Sequence, residues 1–249
     1  MQSFSIPDPY QVASAAVINK TGAKFAVKGR YSEIQNPKPV LSEVEVSEID
    51  LPRLVVMISG SGTNLQALID ACRNGDLAAE IVLVVSNRHD AYGLERAREA
   101  GIERLYFPLK PYRIAGESRE VYDADLAAKI EPYEPDLIVL AGWMHVLTPA
   151  FLNQFPGQVI NLHPALPGQF DGVDAIKRAY EAYERGEITY SGCMVHYAVP
   201  EVDSGPVVEQ TLVTFREGDL LEDFEMRMHA AEHQLIVYAT KKALAARMS

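Results

Sequence analysis

Three short stretches of the 249-residue chain combine residue types that could do chemistry. In Ile160-Asn161-Leu162-His163-Pro164, Asn161 and His163 stand two apart, so on a strand their side chains leave the same face. An amide and an imidazole aimed at one point can stabilise a developing oxyanion and manage a proton; the plainer use of both is to satisfy a loop backbone. In Pro200-Glu201-Val202-Asp203-Ser204-Gly205-Pro206, an acid beside Ser-Gly-Pro is ordinary turn chemistry. If that loop faces His163, Asp203 would orient the imidazole, raise its pKa and accept a proton. The third stretch, Ile58-Ser59-Gly60-Ser61-Gly62-Thr63-Asn64-Leu65, is a glycine turn between a strand and a helix. Free amides at such a helix start favour a phosphate or carboxylate, and a tight turn without a ligand is the alternative. Leu65 stands where the dinucleotide fingerprint needs glycine, and no Gly-Lys-Ser/Thr follows, so neither that motif nor a Walker loop is present.

Positioning these residues requires strands that end where they stand, and the pattern from Arg53 onward supplies them. Short apolar runs (Leu54 to Ile58, Ile81 to Val85, Leu105 to Phe107, Leu137 to Ala141, Val159 to Leu162) alternate with helical stretches. Leu65, Leu68, Ile69 and Cys72 make one helix stripe, ended by Gly75, with Cys72 in the core. Tyr92 to Ala100, closed by Gly101, and Ser118 to Ile130 read as helices, and Thr148 with Pro149 opens a short one. This order predicts an α/β, Rossmann-like doubly wound sheet, mostly parallel. A helix over 173–185, an antiparallel strand pair (Tyr190 to Tyr197, Val207 to Val213) and a long final helix from near Asp219 follow. The predicted core stripe of that helix is Leu221, Phe224, Met228, Ala231, Leu235 and Tyr238.

Composition narrows the partners. Apolar content of 48% suffices for a core, and the longest apolar runs are five residues, against the ~20 of a membrane-spanning helix. A net charge of −11 from 23 basic and 34 acidic residues excludes a broad nucleic-acid surface, so an anionic ligand needs a local device. Two cysteines and no Cys-x-x-Cys exclude a disulfide framework and a structural zinc site, which suits a reducing compartment such as the cytoplasm. The first fifty residues carry five basic and six acidic residues and read as an accessory extension, to which the pattern assigns no role, before a domain at 51–249. Its acid-poor start is also compatible with organelle targeting, although no signal-peptide apolar stretch occurs. The pattern sets no oligomeric state.

The remaining candidates are less specific. His196 on its strand is read as a buried structural or supporting histidine, His145 after Gly142-Trp143-Met144 borders a strand end, and His89, His229 and His233 carry no motif. No His-Glu-x-x-His spacing supports a metal, and no Gly-x-Ser-x-Gly elbow supports a serine hydrolase.

Together and in this order, these segments resemble the glycinamide ribonucleotide (phosphoribosylglycinamide) formyltransferase family of purine biosynthesis. The resemblance spans roughly residues 53–245 and includes Asn64-Leu65-Gln66-Ala67-Leu68-Ile69-Asp70 and Gly93-Leu94-Glu95-Arg96-Ala97. It implies transfer of the formyl group of 10-formyltetrahydrofolate to the amine of glycinamide ribonucleotide, with no metal. It assigns the nucleotide phosphate to Ser61, Gly62 and Thr63 with Asn64 alongside, the ribose to Glu232, and catalysis to Asn161, His163 and Asp203. For the folate it implies Arg119 of Ser118-Arg119-Glu120-Val121-Tyr122-Asp123, then Met144, His145, Val146 and Leu147, and Val199, Pro200, Glu201 and Val202.

One loop departs from the family pattern. The widespread His-Pro-Ser-Leu-Leu-Pro is His163-Pro164-Ala165-Leu166-Pro167-Gly168 here, which changes the loop and keeps the catalytic pair. The first fifty residues have no counterpart in that pattern. Two other readings compete: a 10-formyltetrahydrofolate hydrolase, which shares a similar Asn/His/Asp set, and a non-catalytic nucleotide-binding protein of the same fold. A methionyl-tRNA formyltransferase would need a further RNA-binding domain after the last helix.

Overall fold

The computed structural model describes residues 50–247 and, before them, two strands, β1 (Ser14–Ile18) and β2 (Lys24–Lys28), which pair antiparallel. The other residues of the predicted extension lie outside the described residues. From β3 (Arg53–Ile58) the chain runs through α1 (Thr63–Asn74), β4 (Glu80–Ser86), α2 (Tyr92–Ala100), β5 (Arg104–Tyr106), α3 (Lys110–Ala115) and α4 (Arg119–Ile130). It continues through β6 (Leu137–Leu140), α5 (Pro149–Leu152), β7 (Val159–His163), α6 (Ala175–Glu184), β8 (Tyr190–Tyr197), β9 (Val207–Thr214) and α7 (Leu221–Arg247).

β3 to β9 form one seven-stranded sheet in the order β5-β4-β3-β6-β7-β8-β9, parallel through β7 and antiparallel at β8 and β9. The fold is therefore the α/β sheet with an antiparallel strand pair and long final helix that the pattern predicts. Both faces of its centre are buried, with the period of two that a strand imposes. Leu54, Val56 and Ile58 of β3 join one core, with α1, α2, α6 and α7; Val55 and Met57 join the other, with α4 and α5. β4 and β5 lie on one side of β3 and β6 on the other, so the winding reverses between β3 and β6. Ligands of open α/β sheets sit at that reversal, at the carboxyl ends of the strands. Among the described residues no helix is long and apolar enough to cross a membrane.

Local signals place most boundaries. Gly75 and Gly101, at φ 80° and 74°, close α1 and α2 in the left-handed region that glycine enters without a Cβ penalty. The Ser118 hydroxyl accepts the Val121 amide and starts α4. Three details differ from the sequence expectation. α3 was not predicted: it is six residues long, buries none of them and has proline in its first turn, so it carries no periodic signal. Cys72 packs against the core edge and is only partly buried. In α7, Phe224, Met228 and Leu235 are buried as predicted, but Tyr238 is 59% exposed. The buried face drifts round this 27-residue helix, and Ile236, Ala239 and Ala243 take the contact instead.

Candidate active site

A cleft of ≈ 400 Å³ opens at the reversal point, a size that suits a small-molecule site. One end is the glycine turn after β3, Gly60 to Asn64. The segment after β6, Gly142 to Leu147, forms a wall, and the Ser59 hydroxyl ties it to β3 by accepting the Met144 amide at 3.0 Å. Asn161 and His163 of β7, Gly172 to Ile176, His196 of β8, the β8–β9 link and two residues of α7, His229 and Glu232, also line it.

Strand geometry builds the polar centre. Asn161 and His163 share a face, and His196 lies directly across from Asn161 in the antiparallel register of β7 and β8. The β8–β9 link then folds Asp203 onto all three. Asp203 Oδ2 is 3.3 Å from His163 Nδ1, and Oδ1 accepts Asn161 Nδ2 at 3.2 Å and lies 3.4 Å from His196 Nε2. The Gly172 amide donates to Asp203 Oδ2 at 2.8 Å. The link is held in an unfavourable backbone conformation: Asp203 has φ 51°, a region that costs a residue with a Cβ. Gly205 permits it, since a Cβ there would stand 1.8 Å from the Tyr197 carbonyl oxygen.

Hydrogen bonding and burial set the surroundings of these groups. His196 Nδ1 is 2.9 Å from the Tyr197 carbonyl, and its Nε2 lies 3.2 Å from Asn161 Nδ2. The Asn161 amide nitrogen thus donates to Asp203 and lies in contact with His196. His163 Nε2 faces the Phe170 carbonyl at 3.2 Å. Burial pulls the His163 imidazole below its ordinary pKa, against the Asp203 charge and the Phe170 carbonyl, which push it up. The carboxylate acts on the ring in the direction expected from the sequence, and desolvation outweighs it. For Asp203, burial acts to raise the pKa, but His196, the Gly172 amide and His163 together hold it below the ordinary carboxylate value.

The altered loop after His163 packs inward. Ala165 and Leu166 are buried, and Leu166 lies over Gly192 of β8, where a Cβ would meet it at 2.7 Å. The chain then returns to present the Phe170 carbonyl to His163 and the Gly172 amide to Asp203.

The residues assigned to nucleotide and folate by resemblance fall into two groups. Ser61, Gly62, Thr63, Asn64, Glu232, Met144, His145, Val146, Leu147, Val199, Glu201 and Val202 line the cleft. Arg119 and Pro200 do not. Arg119 pairs with buried Asp123 at 2.9 Å and donates to the Val146 carbonyl at 2.8 Å, while Asp123 accepts the Thr148 amide at 2.7 Å, so both hold the wall from behind. His145 accepts from Asn87 Nδ2 at 3.0 Å, and burial, with Arg119 and Arg113, pulls its pKa down to about 4. Glu232 is buried beside His229 at 2.8 Å, and that bond raises the His229 pKa. His196, His229 and the Phe170 and Gly172 backbone were not singled out as site residues by motif. The register of β8 against β7 and the three-residue helical spacing from Glu232 are the signals that would have found the two histidines. Among the described residues no three His, Cys, Asp or Glu side chains gather as a metal site.

The formyl transferase family pattern matches residues 52–240. A phosphoribosylglycinamide formyltransferase of Schizosaccharomyces pombe is 49% identical over 195 residues, 75% of this chain and 94% of that protein. The trifunctional purine biosynthetic protein adenosine-3 of Drosophila pseudoobscura pseudoobscura is 43% identical over 93% of this chain and 16% of its own length. That match runs into the first fifty residues, which the family pattern, beginning at residue 52, does not reach. The crystal structure of glycinamide ribonucleotide transformylase 1 from Symbiobacterium toebii superposes with a TM-score of 0.71 at 41% identity, covering 77% of this chain and 86% of that one. On these likenesses the chain belongs to the formyl transferase family, among its phosphoribosylglycinamide formyltransferases.

Proposed function

We propose that the protein transfers the formyl group of 10-formyltetrahydrofolate to the amine of glycinamide ribonucleotide, a step of de novo purine biosynthesis. The observation that carries this reading is the contact of Asn161, His163, His196 and Asp203 at one wall of a cleft whose far end is a glycine turn. The turn takes the phosphate, Glu232 the ribose, and the apolar wall of Met144, Val146, Leu147, Val199 and Val202 the folate. We assign the reaction to residues 51–249 and a separate role to residues 1–50. We place the protein in the cytoplasm, a setting that suits two free cysteines whose thiols burial pushes up to about 12.

As the amine adds to the formyl carbon, the formyl oxygen gains negative charge and the amine nitrogen positive charge. Asp203, held ionised, accepts the amine proton. Once it does, its Oδ1 draws less on the Asn161 amide, and the N–H shared with it turns to the oxygen. Proton removal and oxyanion stabilisation are thereby linked through one side chain. His163 in its charged form supports the same oxygen and returns a proton to the leaving nitrogen.

Incubation with 10-formyltetrahydrofolate, with and without glycinamide ribonucleotide, tests this reading through folate release. Release that requires the acceptor is expected; release without it would make the protein a hydrolase, and none under either condition a binding protein. H163A and D203N should each lower kcat by roughly 10²- to 10⁴-fold with the fold retained. Near-normal turnover in either would remove the role given to that residue.

A further inference from the structure

The glycine turn is gripped from behind by α2, an element that does not line the cleft. The Gly60 carbonyl accepts the Gly93 amide at 3.1 Å, and the Ser61 carbonyl accepts Arg96 Nε at 2.9 Å. Arg96 Nη1 also donates to Gln66 Oε1 of α1 at 3.1 Å, and its guanidinium lies 5.0 Å from the Tyr92 ring centre. Only glycine allows the approach: a Cβ on Gly62, whose φ is +71°, would stand 2.6 Å from the Gly93 Cα, and one on Gly93 2.3 Å from Ile58 Cδ1.

Every described peptide bond is trans. In a trans peptide the C=O and the following N–H point in opposite directions. With the Gly60 and Ser61 carbonyls turned toward α2, the amides of Ser61 and Gly62 turn toward the cleft. Among the described residues neither amide donates to a protein acceptor. Two successive amides aimed to one side make an anion-binding concavity. We infer that Arg96 is a positioning residue for the acceptor's phosphate: by holding the Ser61 carbonyl it fixes the peptide plane that presents the Gly62 amide. Arg96 does so through its side chain, Gly93 does the same for the preceding peptide through its backbone, and Gln66 holds the guanidinium in line. The inference rests on the function proposed above.

The test compares glycinamide ribonucleotide with the same acceptor lacking its phosphate, at saturating 10-formyltetrahydrofolate, in wild type, R96M and R96K. Wild type is expected to prefer the phosphorylated acceptor; absence of any preference would overturn the assignment of phosphate to the turn, independently of Arg96. In R96M the KM for the phosphorylated acceptor should rise about 10- to 100-fold, as for the loss of a charged hydrogen bond, with kcat held within about threefold. The preference for phosphate should shrink by the same factor. R96K keeps the charge and one donor but cannot hold both Ser61 and Gln66, so it should recover part of the loss. Equal loss on both acceptors, loss confined to kcat, or an unchanged preference would each overturn the inference. If R96M fails to fold, as a thermal melt will show, R96K decides the question on the same ratio.

Discussion

His163 stands between two oxygens, the Asp203 carboxylate and the Phe170 carbonyl, in a site from which water is largely removed. Burial holds its pKa below the usual 6.5, and Asp203 is the strongest force in the other direction. D203N should therefore move the titration of His163 to still lower pH, as read from its imidazole C–H resonances. With the charged form assisting the reaction as proposed, kcat that depends on it should fall as pH rises through that pKa, and in D203N the fall should begin earlier. A titration that stays in place or moves upward would show that the carboxylate does not act on this ring. Asn161 and His163 were legible in the sequence because a two-residue spacing on a strand fixes a shared face. Asp203 was legible only as a candidate, since 42 residues separate it from the Asn161 amide it accepts and only the folded chain closes that distance. The surroundings of the amide were not legible at all: that it meets an imidazole as well as the carboxylate depends on a histidine from the next strand.

At the scale of elements, the sequence specified what periodicity and caps specify. Five parallel strands, the strand pair and the long helices are where alternation and glycine or Ser118 caps put them. α3 lacks a buried face, and Tyr238 lies where the buried side of α7 has rotated away. The β8–β9 link has neither period nor cap, and its shape depends on one residue. G205A would drive a methyl into the Tyr197 carbonyl, which stands 1.8 Å from the Cβ position. Overpacking of this kind costs about 1–3 kcal/mol, and about 2–4 °C of Tm per kcal/mol in a domain of this size. The melting temperature should drop accordingly, and kcat should drop by at least ~10-fold, since Asp203 moves with the link. Retention of both values would mean that the link has room the structure does not show.

For the molecule as a whole, charge opposes function. The net charge is −11, and both proposed substrates are anions. At low ionic strength the field reaches about 30 Å and repels them; near physiological salt it reaches about 8 Å. Within the cleft, amides and neighbouring side chains act at contact distance and are screened far less. kcat/KM for glycinamide ribonucleotide should thus rise as salt is raised from about 10 to about 150 mM. A steady decline from the lowest salt would show that a local positive field already dominates the approach. The sheet order has a consequence for damage as well. The turn proposed to take the phosphate depends on β3, α1 and α2, whereas the cluster proposed to handle protons depends on β7, β8 and the link to β9. The two share no strand, so a lesion in the link leaves capture intact. On the proposed assignments such a protein would sequester its nucleotide without consuming it, a decoy that competes with intact copies for the same pool.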